Sequence, residues 1–216
     1  MNRVDALARF DTWQLVALAA ALGVASGLRL YAVLFIVGVA GYLGWIELPS
    51  GLATLEHPLV LAASGFMYFV EFFADKIPGV DSLWDAVHTL IRIPAGAALA
   101  AGVFGDSSSA MMLAAAILGG TLAAGSHFTK ASTRAVINTS PEPFSNWGAS
   151  LTEDLAVGGL LWLAIAHPLA AAFVVLAMVA LMIWLLPKVW RAARRIAARL
   201  SGWFGYDGRK SGDIGS

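Results

Sequence analysis

The 216 residues are 59% hydrophobic and only 13% charged, about half the charged fraction of an ordinary soluble domain. That balance argues against a water-soluble globule, because too little polar surface remains to dress its helices, and it points to a membrane protein. The absence of Cys removes disulfides, thiolate metal sites and cysteine nucleophiles, and the zero net charge hides a division: residues 1–187 carry seven Lys/Arg against twelve Asp/Glu, residues 188–216 seven against two.

At the N-terminus, Arg3 and Arg9 precede the apolar run "ALAAALGVASG", an arrangement that imitates a signal peptide. The apolar pattern continues through "LYAVLFIVGVAGYLGW" to Trp45, so the expectation is a first membrane helix that stays attached. Trp13 to Trp45 is 33 residues, or about 50 Å of helix against a hydrocarbon core of about 30 Å. Something in this span must bend, tilt or break. The small residues "GVASG" before Arg29 mark the place.

The pattern predicts an all-α, polytopic transmembrane bundle of about six spans. After the first, the spans are Pro58 to Ala74, Ser82 to Phe104, Ala110 to Ile137, Ser150 to Ala166 and Pro168 to Leu186, with Gly, Pro, Ser and Asn between them. Residues 1–187 form the transmembrane domain, 188–204 a basic amphipathic helix on the cytoplasmic side, and 205–216 a disordered tail. The basic run "KVWRAARRIAARL" puts the C-terminus in the cytoplasm, and Arg3 and Arg9 put the N-terminus there too, as an even number of spans allows. A multi-pass protein of the cell inner (plasma) membrane is expected.

Two echoes suggest an internal duplication. "GVASG" at 23–27 and "GGTLAAGS" at 119–126 each precede a basic residue, Arg29 and Lys130, so both the first and fourth helices are candidates for a break. "SLWD" at 82–85 and "SLTE" at 150–153 both read as capping boxes that start helices.

The segments "ASGLRLYAVLFIVGVAGYLG", "FFADKIPGVDSLWDAVHTLIRIPAGA" and "SLTEDLAV" together resemble the bacterial integral membrane family catalogued as domain of unknown function 4126. The resemblance implies a compact helical membrane domain. It brings no activity with it, so function rests on the side chains.

Seven titratable groups stand between Glu71 and Arg92. Asp81, Asp85, His88 and Arg92 recur at three and four residues and form one stripe of the third span, with Leu83, Trp84, Val87, Leu90 and Ile91 on the other side. Glu71 and Asp75 end the second span. On the fourth, His127, Lys130, Arg134 and Asn138 form a basic stripe that can face the acidic one. Charge at membrane depth costs about 2.5–3.5 kcal/mol per group on insertion scales and normally faces the bundle interior. The expected site is a cytoplasm-facing vestibule lined by these residues, with Arg29 deep inside, paired to Glu71 or Asp85, and with Glu153 and Asp154 at the rim.

Two readings of that charge stand side by side: a transporter or channel-like protein that handles an ion or small polar solute, and a structural or lipid-interacting protein whose charges are internal salt bridges. Glu71, Asp75, Asp81 and Asp85 are the candidate ligands for a hard cation. Asp85 with His88 offers a weak acid–base pair for a membrane-embedded enzyme. No motif requires a cofactor and none points to nucleic acid. Arg191, Arg194, Arg195 and Arg199 are placed to meet anionic lipid headgroups, and the Gly and Ala runs leave a homo-oligomer open.

Overall fold

The computed structural model describes residues 11–139 and 144–204, without the side chains of 192, 193 and 195–204. The expectations for Arg3 and Arg9, for the side chains of Arg195 and Arg199, and for the tail 205–216 lie outside these residues. All described regular structure is helical: α1 (Thr12–Tyr42), a 3-10 segment (Ser50–Glu56), α2 (Pro58–Ala74), α3 (Val80–Val103), α4 (Ser109–Ile137), α5 (Phe144–Ala166) and α6 (Pro168–Phe204). Five helices are long and apolar enough to cross a membrane: α1, α3, α4, α5 and the Pro168–Arg191 part of α6. A sixth span counts α2 together with the 3-10 segment, which it meets at 72°.

The break foreseen in the first helix is present, at Arg29 itself, with φ −144° and ψ 74°. Its consequence is larger than a kink. Leu15, Leu18 and Leu22 before the break and Val37 and Leu48 after it line one small apolar cavity, whereas an unbroken helix would hold Leu15 and Val37 about 33 Å apart. Gly23 lies against Gly119 of α4, which itself meets Gly96 and Ala100 of α3. Gly38, on the other limb, lies against the backbone of Leu55, in the same 3-10 segment whose Gly51 touches Gly102 of α3. Both limbs therefore run to the C-terminal end of α3, and α1 is a hairpin whose tip, Arg29, points into the bundle.

The hairpin occupies the centre. Ala19, Ala21, Val24, Ala25 and Val33 have no exposed surface, and the other helices close around them. Close approach relies on small residues: a β-carbon at Gly27 would stand 1.9 Å from Ser126 Oγ and 2.3 Å from the Ala123 carbonyl oxygen. Without a hydrophobic force between helices in lipid, such backbone-to-backbone packing is what holds them together. "GVASG" and "GGTLAAGS" are thus packing partners of one another. The fourth helix, expected to break like the first, runs as one helix from Ser109 to Ile137, because its glycines accept neighbours at a surface that stays helical.

The capping boxes are corrected too. Helix α3 starts at Val80 after Gly79, whose φ of 85° suits glycine, and α5 starts at Phe144, so Ser82 and Ser150 lie inside helices. An early start gives α5 an unforeseen polar stripe: Asn146, Ser150 and the Glu153–Asp154 pair, with Asn146 and Ser150 fully buried. The basic segment after Lys188 continues α6 past Pro187 without interruption.

The fold-back of α1 also decides where the two described ends of the chain lie. Trp13 shares a surface groove with His167 and Pro168 at the α5–α6 connection. From there α6 runs parallel to α4, with Met182 near Gly125 and Trp190 beside Phe128 and Ser132. Thr12 and Phe204 accordingly lie at opposite ends of the bundle, whereas the expectation of both termini on one side counted α1 as a crossing. The chain lacks Cys, so single substitutions test this cleanly with a membrane-impermeant maleimide. Thr12→Cys and Glu47→Cys are expected to label from one face and Lys188→Cys from the other. Labelling of positions 12 and 47 from opposite faces would show a crossing first helix.

Candidate functional site

The charged residues converge below the hairpin tip. Arg29, Glu71, Asp75, Asp81, Asp85, His88, Arg92, His127, Lys130 and Arg134 are all buried, each with 5% exposure or less, and the Glu153 and Asp154 side chains are 14% and 15% exposed. On the outer surface beside these groups, Leu83, Val87, Leu90, Phe69, Phe73, Leu151 and Leu155 are at least half exposed. The charges are thus wrapped by an apolar belt.

The two stripes read from the sequence face each other in register. Asp81 accepts from Asn138 Nδ2 at 2.7 and 2.9 Å. One turn deeper, Asp85 stands 3.6 Å from Lys130 Nζ. Deeper again, Thr89 Oγ1 lies 2.7 Å from His127 Nε2, and Arg92 Nη1 lies 3.2 Å from His127 Nδ1. Direct contact closes the space between the stripes.

Arg29 has other partners than those expected. Its Nη1 is 2.8 Å from Asp75, its Nε 3.2 Å from Asp154 and 3.5 Å from Glu153, and its Nη2 donates to the hydroxyl and carbonyl of Ser150 at 2.7 and 3.0 Å. The pairing of Arg29 with Glu71 or Asp85 is therefore corrected, since α2 ends its last turn with Asp75 at the tip and leaves Glu71 one turn away, against Arg92. The break also exposes backbone: the Leu28 carbonyl, at the end of the first limb, accepts from Lys130 Nζ at 3.2 Å. A cation there suits the negative end of a helix.

Lys130 joins the pieces. It bonds Asp75 at 2.8 Å and lies 3.2 Å from Glu153. Arg134 holds Glu153 at 3.0 Å and donates to the carbonyl oxygens of Asp75 and Asn146 at 3.0 and 3.1 Å. Arg92 bridges Glu71 through Nη2 and Asp85 through Nη1, the latter at 2.8 Å.

The candidate metal ligands are separated by these pairings. Glu71 and Asp85 go to Arg92, Asp75 to Arg29 and Lys130, and Asp81 to Asn138, and among the described residues no three His, Asp or Glu side chains gather as a metal site. The acid–base pair is separated as well: His88 places Nδ1 2.8 Å from the Trp84 carbonyl and Nε2 3.1 Å from the Tyr31 hydroxyl, while Asp85 faces Arg92. Sequence reasoning missed Tyr31, Thr89, Asn146 and the role of Ser150. Asn146 and Ser150 carried a signal, their spacing of four residues ahead of Glu153 and Asp154, which reads as a stripe once the helix is started at Phe144.

On the basic continuation of α6, Lys188 covers the Trp184 ring at 3.0 Å, and Arg191 and Arg194 are exposed. Comparison with known proteins returns no match among curated proteins and none among solved structures. Residues 16–188 match the family model described as Domain of unknown function (DUF4126), a stretch that contains all but the first four residues of α1 and every member of the charge network, and the chain belongs to that family.

Proposed function

We propose that this membrane protein moves an ion or small polar solute, using the charge network beneath the Arg29 tip as its binding site. The observation that carries the reading is a broken, folded-back helix whose tip places a guanidinium among buried carboxylates. Discontinuous helices that end at the middle of the protein are how many transporters present charge and backbone groups to a solute. A bundle built only for stability gains little from such a network, because apolar residues of similar volume would hold it equally well or better.

The network end of the bundle faces the cytoplasm in this reading, since the basic continuation of α6 leaves the membrane there. Lys188, Arg191 and Arg194 then meet anionic headgroups of the inner membrane. The hairpin's apolar limbs seal the opposite side, and transport requires that this seal and the ion pairs open in turn.

Purified protein in lipid vesicles is expected to carry protein-dependent flux under at least one imposed gradient of protons, Na⁺, K⁺ or small anions. Asp75→Asn, which keeps the shape of the side chain shared by Arg29 and Lys130, is expected to lower that flux at least tenfold. One observation favours the structural alternative, namely that all four network cations are already paired by direct contact. Vesicles that pass nothing above protein-free controls across the whole panel would decide for it.

A further inference from the structure

The ion pairs divide unevenly. Arg29, Lys130 and Arg134 serve Asp75, Glu153 and Asp154, three cations for three carboxylates, while Arg92 alone bridges Glu71 and Asp85. Lys76, a further cation, covers the Phe72 ring, donates to the Phe72 carbonyl and reaches Ser150 Oγ at 3.5 Å, on the Arg29 side of the network. One negative charge is therefore left over at the Arg92 bridge, where both carboxylates are at most 1% exposed.

The same place holds unused acceptors. Glu71 Oε2 and Asp85 Oδ2 are buried and make no hydrogen bond. A buried carboxylate oxygen without a donor is costly, and the charge it carries is costlier still. Burial of this kind favours the neutral acid over the carboxylate.

We infer that the Glu71–Asp85 pair astride Arg92 is a proton-binding site and that a proton is the ion the protein handles, an inference that rests on the transport reading above. The proton resides on Glu71, because among the described residues Arg92 is the single ion-pair partner of Glu71, whereas Asp85 also has Lys130 at 3.6 Å. Binding converts one carboxylate to the neutral acid and leaves the Arg92–Asp85 pair charged. The groups facing the pair are Arg29 and Tyr31 from α1, Tyr68 and Asp75 from α2, His88 and Arg92 from α3, and His127 and Lys130 from α4. Glu153 from α5 acts through Lys130. Loss of the proton would leave Arg92 with two full negative charges. That imbalance gives α2 and α3 a reason to shift, which is how proton release would couple to opening of the network.

Infrared difference spectroscopy of the full chain in lipid tests this without a flux measurement. At neutral pH the carbonyl stretch of a protonated, buried carboxylic acid is expected in the wild-type protein and absent in Glu71→Gln. Glu71→Gln is expected to fold with an unchanged melting midpoint, since Gln keeps the shape and neutrality of the acid. Absence of the band in wild-type protein, its survival in both Glu71→Gln and Asp85→Asn, or a Glu71→Gln variant that fails to fold would each overturn the assignment. A band without flux leaves the proton site standing and removes the transport reading. Flux without a band does the reverse.

Discussion

Replacing Arg29 with Met is expected to cost the folded protein about 3–5 kcal/mol, the range for removing one partner of a buried ion pair. The substitution leaves Asp75, Glu153 and Asp154 with two cations where there were three, and leaves the Ser150 hydroxyl and carbonyl without their donor. Lys at this position keeps the charge but not the fork, which reaches Asp75, Asp154 and Ser150 from three different nitrogens. Arg29→Lys is therefore expected to recover less than half of the loss. The quantity to measure is the midpoint of unfolding in a graded denaturing detergent, and a midpoint for Arg29→Met within about 0.5 kcal/mol of wild type, the scale of ordinary surface substitutions, would mean that the tip is not held by its charges.

Arg92→Met is expected to be similarly severe, about 3–5 kcal/mol, because the only bridge between Glu71 and Asp85 disappears and Lys130 is left as the nearest cation, 3.6 Å from Asp85. The informative variant is the compensated one. In Arg92→Met with Asp85→Asn, and with Glu71 free to stay neutral, no unpaired charge remains in the bridge. Most of the lost stability is expected to return, with a coupling between positions 85 and 92 of about 1–3 kcal/mol. Additive losses at the two positions, in the same unfolding measurement, would contradict the pairing of Asp85 with Arg92.

The two variants probe different layers of legibility. Local pattern identified which residues share a face: Asp81, Asp85, His88 and Arg92 on α3, and His127, Lys130, Arg134 and Asn138 on α4, are inward-facing stripes, while Leu83, Val87 and Leu90 face outward at 67%, 57% and 82% exposure. The second helix was readable to the residue, because His57-Pro58 supplies both a cap and a start: His57 Nδ1 accepts from the Leu59 amide at 3.2 Å and Pro58 takes the first helical position. Ser82 and Ser150 misled for an equally local reason. Ser followed by a carboxylate three residues on is a sound capping signal, but packing extended each helix upstream of it, through Gly79 at α3 and from Phe144 at α5.

The sequence by itself determined that this is a helical membrane protein with charge on the inward faces of its helices and a first span too long to stay straight. Hydropathy, helical period and chain length are properties of neighbouring residues, so they survive without knowledge of the fold. Tertiary structure alone decided that the long span turns back at Arg29, that "GVASG" lies on "GGTLAAGS", and that Arg29 meets Asp75 while Glu71 meets Arg92. A shift of one helical turn, about 5.4 Å, is enough to exchange the carboxylates at positions 71 and 75 as partners for one guanidinium. That register is set by where small residues let two backbones touch, between segments that lie nearly a hundred residues apart in the chain.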